Sequence, residues 1–93
     1  MSQNKINIVI AGATGYVGLD LVYYLSKHPK VNILHLCAQK NLGKNIKYFD
    51  KRISKKLPKI SNLRKVNFKN VDLLFLSLPN GEAQKIIKKN FHY

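Results

Sequence analysis

The sequence predicts an α/β fold in which parallel strands alternate with helices. Three observations support this prediction: an apolar segment at 6–10 runs into a glycine-rich turn, apolar residues recur at helical spacing from 15 to about 28, and further apolar segments occupy 31–37 and 71–78. Strands covered on both faces are almost continuously apolar, so these segments are typical of a parallel sheet.

The first connection is predicted to be a helix from Gly15 to about His28, because Pro29 ends the helical pattern. A crossover of this kind places the strand at 31–37 parallel to the first strand. The helix presents one apolar stripe to the sheet. The residues of the stripe are Val17, Leu21, Val22 and Leu25.

The chain between 38 and 70 lacks a steady period, because Gly43, Pro58 and many lysines interrupt it. We expect a short amphipathic helix around 43–53, irregular chain beyond it, and a brief strand near 65–68. The segment 71–78 is then predicted to be a buried strand in the middle of the sheet, and a helix follows the turn that starts at Pro79.

The glycine-rich turn carries the first functional signal. Glycines at this spacing after a strand and before a helix permit a tight turn, close approach of a pyrophosphate, and close packing of the helix on its strand. Backbone amides would hold the diphosphate, and the hydroxyl of Thr14 could add a hydrogen bond. Tyr16 and Val17 either pack on the sheet or line the ligand. The turn consists of Gly12, Ala13, Thr14, Gly15, Tyr16, Val17 and Gly18.

This turn predicts a dinucleotide site in a Rossmann-type, doubly wound parallel sheet. The alternative is a sharp strand-to-helix turn in another α/β domain. In an open parallel sheet, ligands bind beyond the carboxyl ends of the strands, where the loops 12–18, 37–44 and 78–82 should converge.

The loop at 37–44 should contact the adenosine ribose. An NAD-preferring site carries an acidic residue there. The loop 37–44, which includes Cys37, Ala38 and Lys40, contains only uncharged and basic residues. Lys40 and Lys44 could accommodate a 2′-phosphate, which favours NADP over NAD. The alternative is that both lysines, Lys44 above all, are ordinary solvated side chains.

The third loop follows the last strand and is predicted to pass beneath the cofactor, although an ordinary strand-to-helix turn explains it nearly as well. Its residues are Leu78, Pro79, Asn80 and Gly81. We expect Cys37 to be a buried or cofactor-lining thiol. The sequence offers no catalytic residue and no set of metal ligands.

Composition limits the remaining classes of function. The chain has 17 Lys and Arg against 4 Asp and Glu, a net charge of +13, yet its lysines are scattered, so nucleic-acid binding is the least favoured hypothesis. A single cysteine excludes an internal disulfide and fits a reducing compartment, by default the cytoplasm. No apolar run reaches the roughly 20 residues of a membrane helix.

These motifs resemble the N-terminal cofactor domain of the N-acetyl-gamma-glutamyl-phosphate reductase family, within the semialdehyde dehydrogenase superfamily. The resemblance spans nearly the whole chain and rests on 12–18, on His28-Pro29, on Gly43-Lys44 and on 71–81. The family commonly has Thr where this chain has Val17, and His where it has Asn80. Since Val17 is typical of the related aspartate-semialdehyde dehydrogenases, that assignment stays open.

The resemblance implies that NADPH supports reductive dephosphorylation of an acyl phosphate, with a cysteine nucleophile and a histidine acid–base in a downstream domain. At 93 residues the chain is short for a complete doubly wound domain. We therefore expect residues 1–93 to be the N-terminal part of an NADP-binding domain without the catalytic domain. It should bind cofactor without turnover, as a fragment or a natural truncation.

The substrate, and a homo-oligomeric assembly, would belong to a full-length reductase. A stand-alone NADP-binding or redox-sensing module is a further alternative. A nucleotide-sugar epimerase or short-chain reductase shares the glycine spacing but needs a Tyr-x-x-x-Lys pair further downstream. The one pair with this spacing, Tyr23 and Lys27, lies within the first predicted helix.

Overall fold

The computed structural model describes residues 5–77, which form a four-stranded parallel sheet and one α-helix. The strands are β1 (Ile6–Ala11), β2 (Val31–Cys37), β3 (Ile60–Ser61) and β4 (Leu73–Leu76), and the helix α1 (Tyr16–Ser26) connects β1 to β2. The predicted α/β class and the first three elements are confirmed, although α1 ends two residues before the predicted His28. The helix predicted after Pro79 lies outside the described residues.

The order of the strands is β3-β2-β1-β4, and every pairing is parallel. From β1 the chain moves outward to β2 and β3, and then returns to the opposite side of β1 as β4. The direction of winding therefore reverses at β1. In open α/β sheets such a switch point is where ligands bind.

The carboxyl ends of the strands lie in one row. Ala11 pairs with Cys37 on one side and with Leu76 on the other, and Cys37 pairs with Ser61. Among the described strands β1 is central, with Val9 and Ile10 fully buried. Within residues 5–77, β4 pairs only with β1 and stands at one end of the strand order, whereas its apolar sequence predicted a place in the middle of the sheet.

Both faces of the sheet are covered. α1 packs on the face of Ile8 and Ile10, and the segment 62–71 covers the face of Val9 and Ala11. The register shifts between Ile8 and Val9, which leaves one extra residue in β2. The shift allows Ile33 and Leu36, three positions apart, to join the same core cluster.

Two predictions for the middle of the chain are wrong. In place of a helix over 43–53, only a 3-10 helix at Ile46–Tyr48 forms, because Gly43 has φ +83° and the Asp50 carboxylate accepts the amide of Arg52. In place of a strand near 65–68, a 3-10 helix occupies Leu63–Lys65, where the Asn62 side chain accepts the amide of Arg64.

The irregular segment is nevertheless attached firmly to the helix. Arg52 Nη2 lies 2.8 Å from Asp20 Oδ1 on α1 and 2.6 Å from Asp50 Oδ2, and its guanidinium carbon lies 4.4 Å from the ring centroid of Tyr23. Hydrogen bonds from Arg52 hold the pKa of the Asp50 carboxyl below its usual value, so this carboxylate remains charged at neutral pH. Below this surface contact, Ile53 is fully buried in the core.

Truncation of Ile53 tests whether this irregular segment is part of the cooperative fold. Because the side chain is fully buried among core residues, Ile53→Ala should lower the free energy of unfolding by about 2–5 kcal/mol in urea titrations. The exposed neighbour serves as the control, and Ser54→Ala should change it by less than about 0.5 kcal/mol. Equal, small effects of both substitutions would contradict the attachment.

Candidate functional site

The glycine turn at the end of β1 is held by the end of β2. The amides of Gly12 and Ala13 both donate to the carbonyl oxygen of Cys37, at 2.9 and 3.0 Å. Gly12 has φ +76°, a conformation that glycine adopts without strain, and its own carbonyl accepts the amide of Gly15 at 3.2 Å. The Gly12 and Ala13 amides are therefore engaged within the protein.

Gly18 brings α1 into direct contact with this turn. A Cβ atom at position 18 would overlap the carbonyl oxygen of Gly12 and would lie 2.8 Å from its carbonyl carbon and 2.9 Å from the Cα of Ala13. All three atoms belong to the backbone and cannot swing away. With any other residue at position 18, the start of α1 could not lie this close to the end of β1.

The first amides of α1 are the available donors of the site. The amides of Thr14, Tyr16, Val17 and Gly18 have no acceptor within residues 5–77, and the N-cap residue Gly15 has no side chain to cap them. These donors stand at the positive end of the helix dipole, at the switch point of the sheet. Such an arrangement binds phosphate groups.

Gly15 leaves the unbonded amides at the start of α1 accessible. A Cβ atom there would meet only the Gly12 carbonyl oxygen, at 3.6 Å, an ordinary contact, and the backbone has φ −77°. The fold itself therefore tolerates a side chain at position 15. The absence of a side chain at Gly15 therefore affects the approach of a ligand to the amides rather than the packing of the fold.

The side chains around the turn divide into two groups. Ala13 is fully buried, whereas Tyr16 is 95% exposed and Val17 is 64% exposed. Packing of Tyr16 and Val17 on the sheet, one of the two predicted roles, is therefore wrong. Thr14 is partly exposed beside the unbonded amides.

Cys37 contributes its backbone rather than its thiol. The side chain is 1% exposed, and its sulfur lies 3.8 Å from the hydroxyl of Ser61. Burial raises the pKa of the Cys37 thiol, more than the hydrogen bond with Ser61 lowers it. The thiol is protonated and inaccessible at neutral pH, which is unsuitable for a nucleophile.

Sequence reasoning missed the part that Ser61 plays at this edge. The Ser61 carbonyl accepts the amide of Ala38 at 3.2 Å and so fixes the start of the loop after β2. A two-residue strand gives no periodic signal, so its position could not have been predicted.

The two lysines of the loop after β2 differ in their surroundings. The Lys44 ammonium lies 4.9 Å from the centroid of the Tyr48 ring. Lys40 is exposed and has no acidic partner in the described part of the chain. Between them, Asn41 with φ +65° and Gly43 with φ +83° reverse the chain, and the Gly43 amide donates to Ile60 at 2.7 Å.

The third predicted loop, with Leu78, Pro79, Asn80 and Gly81, lies outside the described residues. Ser77, the last described residue, lies beside the switch point, because its amide donates to the carbonyl of Ala11 at 2.9 Å. Residues 5–77 contain no group of three side chains suited to a metal ion and no helix long and apolar enough to cross a membrane.

Residues 7–92 match the family described as semialdehyde dehydrogenase, NAD binding domain. The chain belongs to this family. The predicted resemblance is confirmed, and with it a pyridine nucleotide as the class of cofactor. The chain is thus an NAD(P)-binding domain of the semialdehyde dehydrogenase family.

Named relatives agree with this assignment. N-acetyl-gamma-glutamyl-phosphate reductase of Ehrlichia ruminantium is 37% identical over 91% of this chain and 25% of its own length. The probable chloroplastic enzyme of Oryza sativa is 34% identical over 94% of the chain and 21% of its own length. The chain thus spans about a quarter of the curated relatives it matches.

A solved structure shows the same fold. The crystal structure of aspartate semialdehyde dehydrogenase with NADP from Candida albicans matches with a TM-score of 0.71 and 29% identity, over 90% of this chain and 26% of that one.

Two glycine substitutions separate the fold from the site. Gly18→Ala forces backbone atoms apart and should destabilise the fold by about 1–3 kcal/mol, whereas Gly15→Ala should change stability by less than about 0.5 kcal/mol. Thermal unfolding followed by circular dichroism measures both. Equal melting temperatures for the two variants would show that α1 does not pack against the turn as described.

Proposed function

We propose that the chain binds NADP, in preference to NAD, across the carboxyl edge of the sheet, as the cofactor-binding part of a reductase that acts on N-acetyl-gamma-glutamyl phosphate. The row of unbonded amides at the start of α1, at the switch point of a domain of this family, carries the proposal. When bound, the reduced nicotinamide supplies a hydride; the residues described here bind and orient the cofactor.

The pyrophosphate of the cofactor fits the start of α1. Amides of Tyr16, Val17 and Gly18 donate towards it, and Thr14 can add its hydroxyl. Gly15 provides room for the phosphate oxygens to reach these amides. The exposed side chains of Tyr16 and Val17 would cover the bound diphosphate rather than the sheet.

Lys40 is proposed to recognise the 2′-phosphate. It follows β2 at the edge where the adenosine ribose is expected, it is exposed, and residues 37–44 contain no carboxylate to repel the added charge. Lys44 is less suited, because its ammonium group already lies over Tyr48. Ala38 and the backbone of Cys37 would complete the ribose side.

The catalytic groups are proposed to lie in a domain beyond this chain. Reduction of an acyl phosphate needs a thiolate that displaces phosphate, and Cys37 is buried with a raised pKa. By itself the chain should therefore bind cofactor without turnover. Its single thiol in a buried position suits a reducing compartment such as the cytoplasm.

A second candidate is the corresponding domain of an aspartate-semialdehyde dehydrogenase. Val17 and the structural likeness to the Candida albicans enzyme favour it, whereas the curated relatives named above favour N-acetyl-gamma-glutamyl phosphate. Assays of a longer protein that contains this chain, with both acyl phosphates, decide between the two.

Calorimetric titration of the chain with NADPH and NADH tests the cofactor proposal. Lys40→Glu should weaken NADPH binding about tenfold or more, and NADH binding by less than about threefold, because only NADPH carries the 2′-phosphate. Lys44→Glu makes the same change of charge four residues away and should leave the ratio of the two affinities unchanged. Equal losses for both cofactors in Lys40→Glu would contradict the role of Lys40.

A further inference from the structure

None of the three carboxylates within residues 5–77 forms a salt bridge with a lysine of the lysine-rich segment 44–59. Asp20 and Asp50 both bind Arg52, at 2.8 and 2.6 Å. Asp72 accepts the amide of Asn7 at 2.8 Å, near the amino ends of the strands. The lysines of the segment therefore have no carboxylate partner in this part of the chain.

Three of these lysines surround one groove. It has a volume of about 310 Å³ and lies between the first 3-10 helix and the chain that follows Ile53. Its apolar residues are Ile46 and Leu57. Its polar residues are Asn45, Lys47, Ser54, Lys55 and Lys56.

The walls of the groove are fixed by the core. Ile46 is 2% exposed, and Ile53, directly before Ser54, is fully buried. Arg52 binds the same stretch of chain to α1. The groove is thus built on anchored backbone, and Lys47, Lys55 and Lys56 all line it.

The lining favours phosphate groups over nucleobases. Among the described residues, no aromatic side chain lines the groove, whereas proteins that bind single-stranded nucleic acids stack bases on aromatic rings. The nearby Tyr48 ring is already in contact with the Lys44 ammonium and with the edge of Phe49, at 5.2 Å between ring centroids. Lysine, serine and asparagine side chains are suited to oxyanions.

We propose that this groove binds a compact polyanion that carries two or more phosphate groups, at a site separate from the cofactor site. Lys47, Lys55 and Lys56 neutralise the charge, while Ser54 and Asn45 donate hydrogen bonds. None of these residues belongs to the glycine turn or to the loop 37–44. The proposal is thus independent of the proposed cofactor binding.

Calorimetric titration of the 93-residue chain with inorganic tripolyphosphate, in the presence of saturating NADPH, tests the site. NADPH is added to occupy the start of α1, which could itself bind phosphate groups. At about 0.15 M salt, where long-range attraction between exposed charges is largely screened, we expect saturable binding of one equivalent. Lys55→Gln combined with Lys56→Gln should weaken this binding about tenfold or more, because two of the three ammonium groups are lost.

The matched control removes two charges elsewhere. Lys65 and Lys69 are exposed on the segment that covers the other face of the sheet, and Lys65→Gln combined with Lys69→Gln should change the affinity by less than about twofold. Equal losses in both double variants would show a diffuse charge effect and overturn the proposal. Absence of saturable tripolyphosphate binding in the presence of NADPH would also overturn it.

Discussion

The contact between Gly18 and the carbonyl of Gly12 is the constraint on which the rest of the site depends. It allows α1 to begin directly above the end of β1, so that the unbonded amides of its first turn lie at the switch point of the sheet. The Cys37 carbonyl fixes the other side of the turn. Any side chain at position 18 would move the helix and its amides away from this point.

The chain has only four acidic residues, and one arginine binds two of them. Arg52 engages two carboxylates at once and lies over Tyr23, and it thereby joins the irregular segment to α1. The same arrangement leaves the lysines of the segment 44–59 without a carboxylate partner within residues 5–77. A single arginine thus stabilises the segment and maintains the positive potential of the groove beside it.

Elements with a clear period could be predicted from the sequence, and those set by local side-chain bonds could not. The apolar runs of β1 and β2 are confirmed, and so is the periodic stripe of α1 except at Val17, which is 64% exposed. Asp50 and Asn62 instead bond to nearby amides, which replaces a helix and a strand by 3-10 turns. At the site, the turn was predictable from its glycines, whereas the engagement of the Gly12 and Ala13 amides depends on β2, which is distant in sequence.

The central claim is that the first amides of α1 receive the pyrophosphate of a dinucleotide. Amide chemical shifts of the ¹⁵N-labelled chain, recorded during titration with NADPH, test it most directly. We predict that the largest changes occur at Thr14, Tyr16, Val17 and Gly18, which have no acceptor within residues 5–77, while Asn7 and Asn32 at the opposite end of the strands stay unchanged. Saturable binding with the largest shifts away from this turn would contradict the account, as would a folded chain whose spectrum NADPH leaves unchanged.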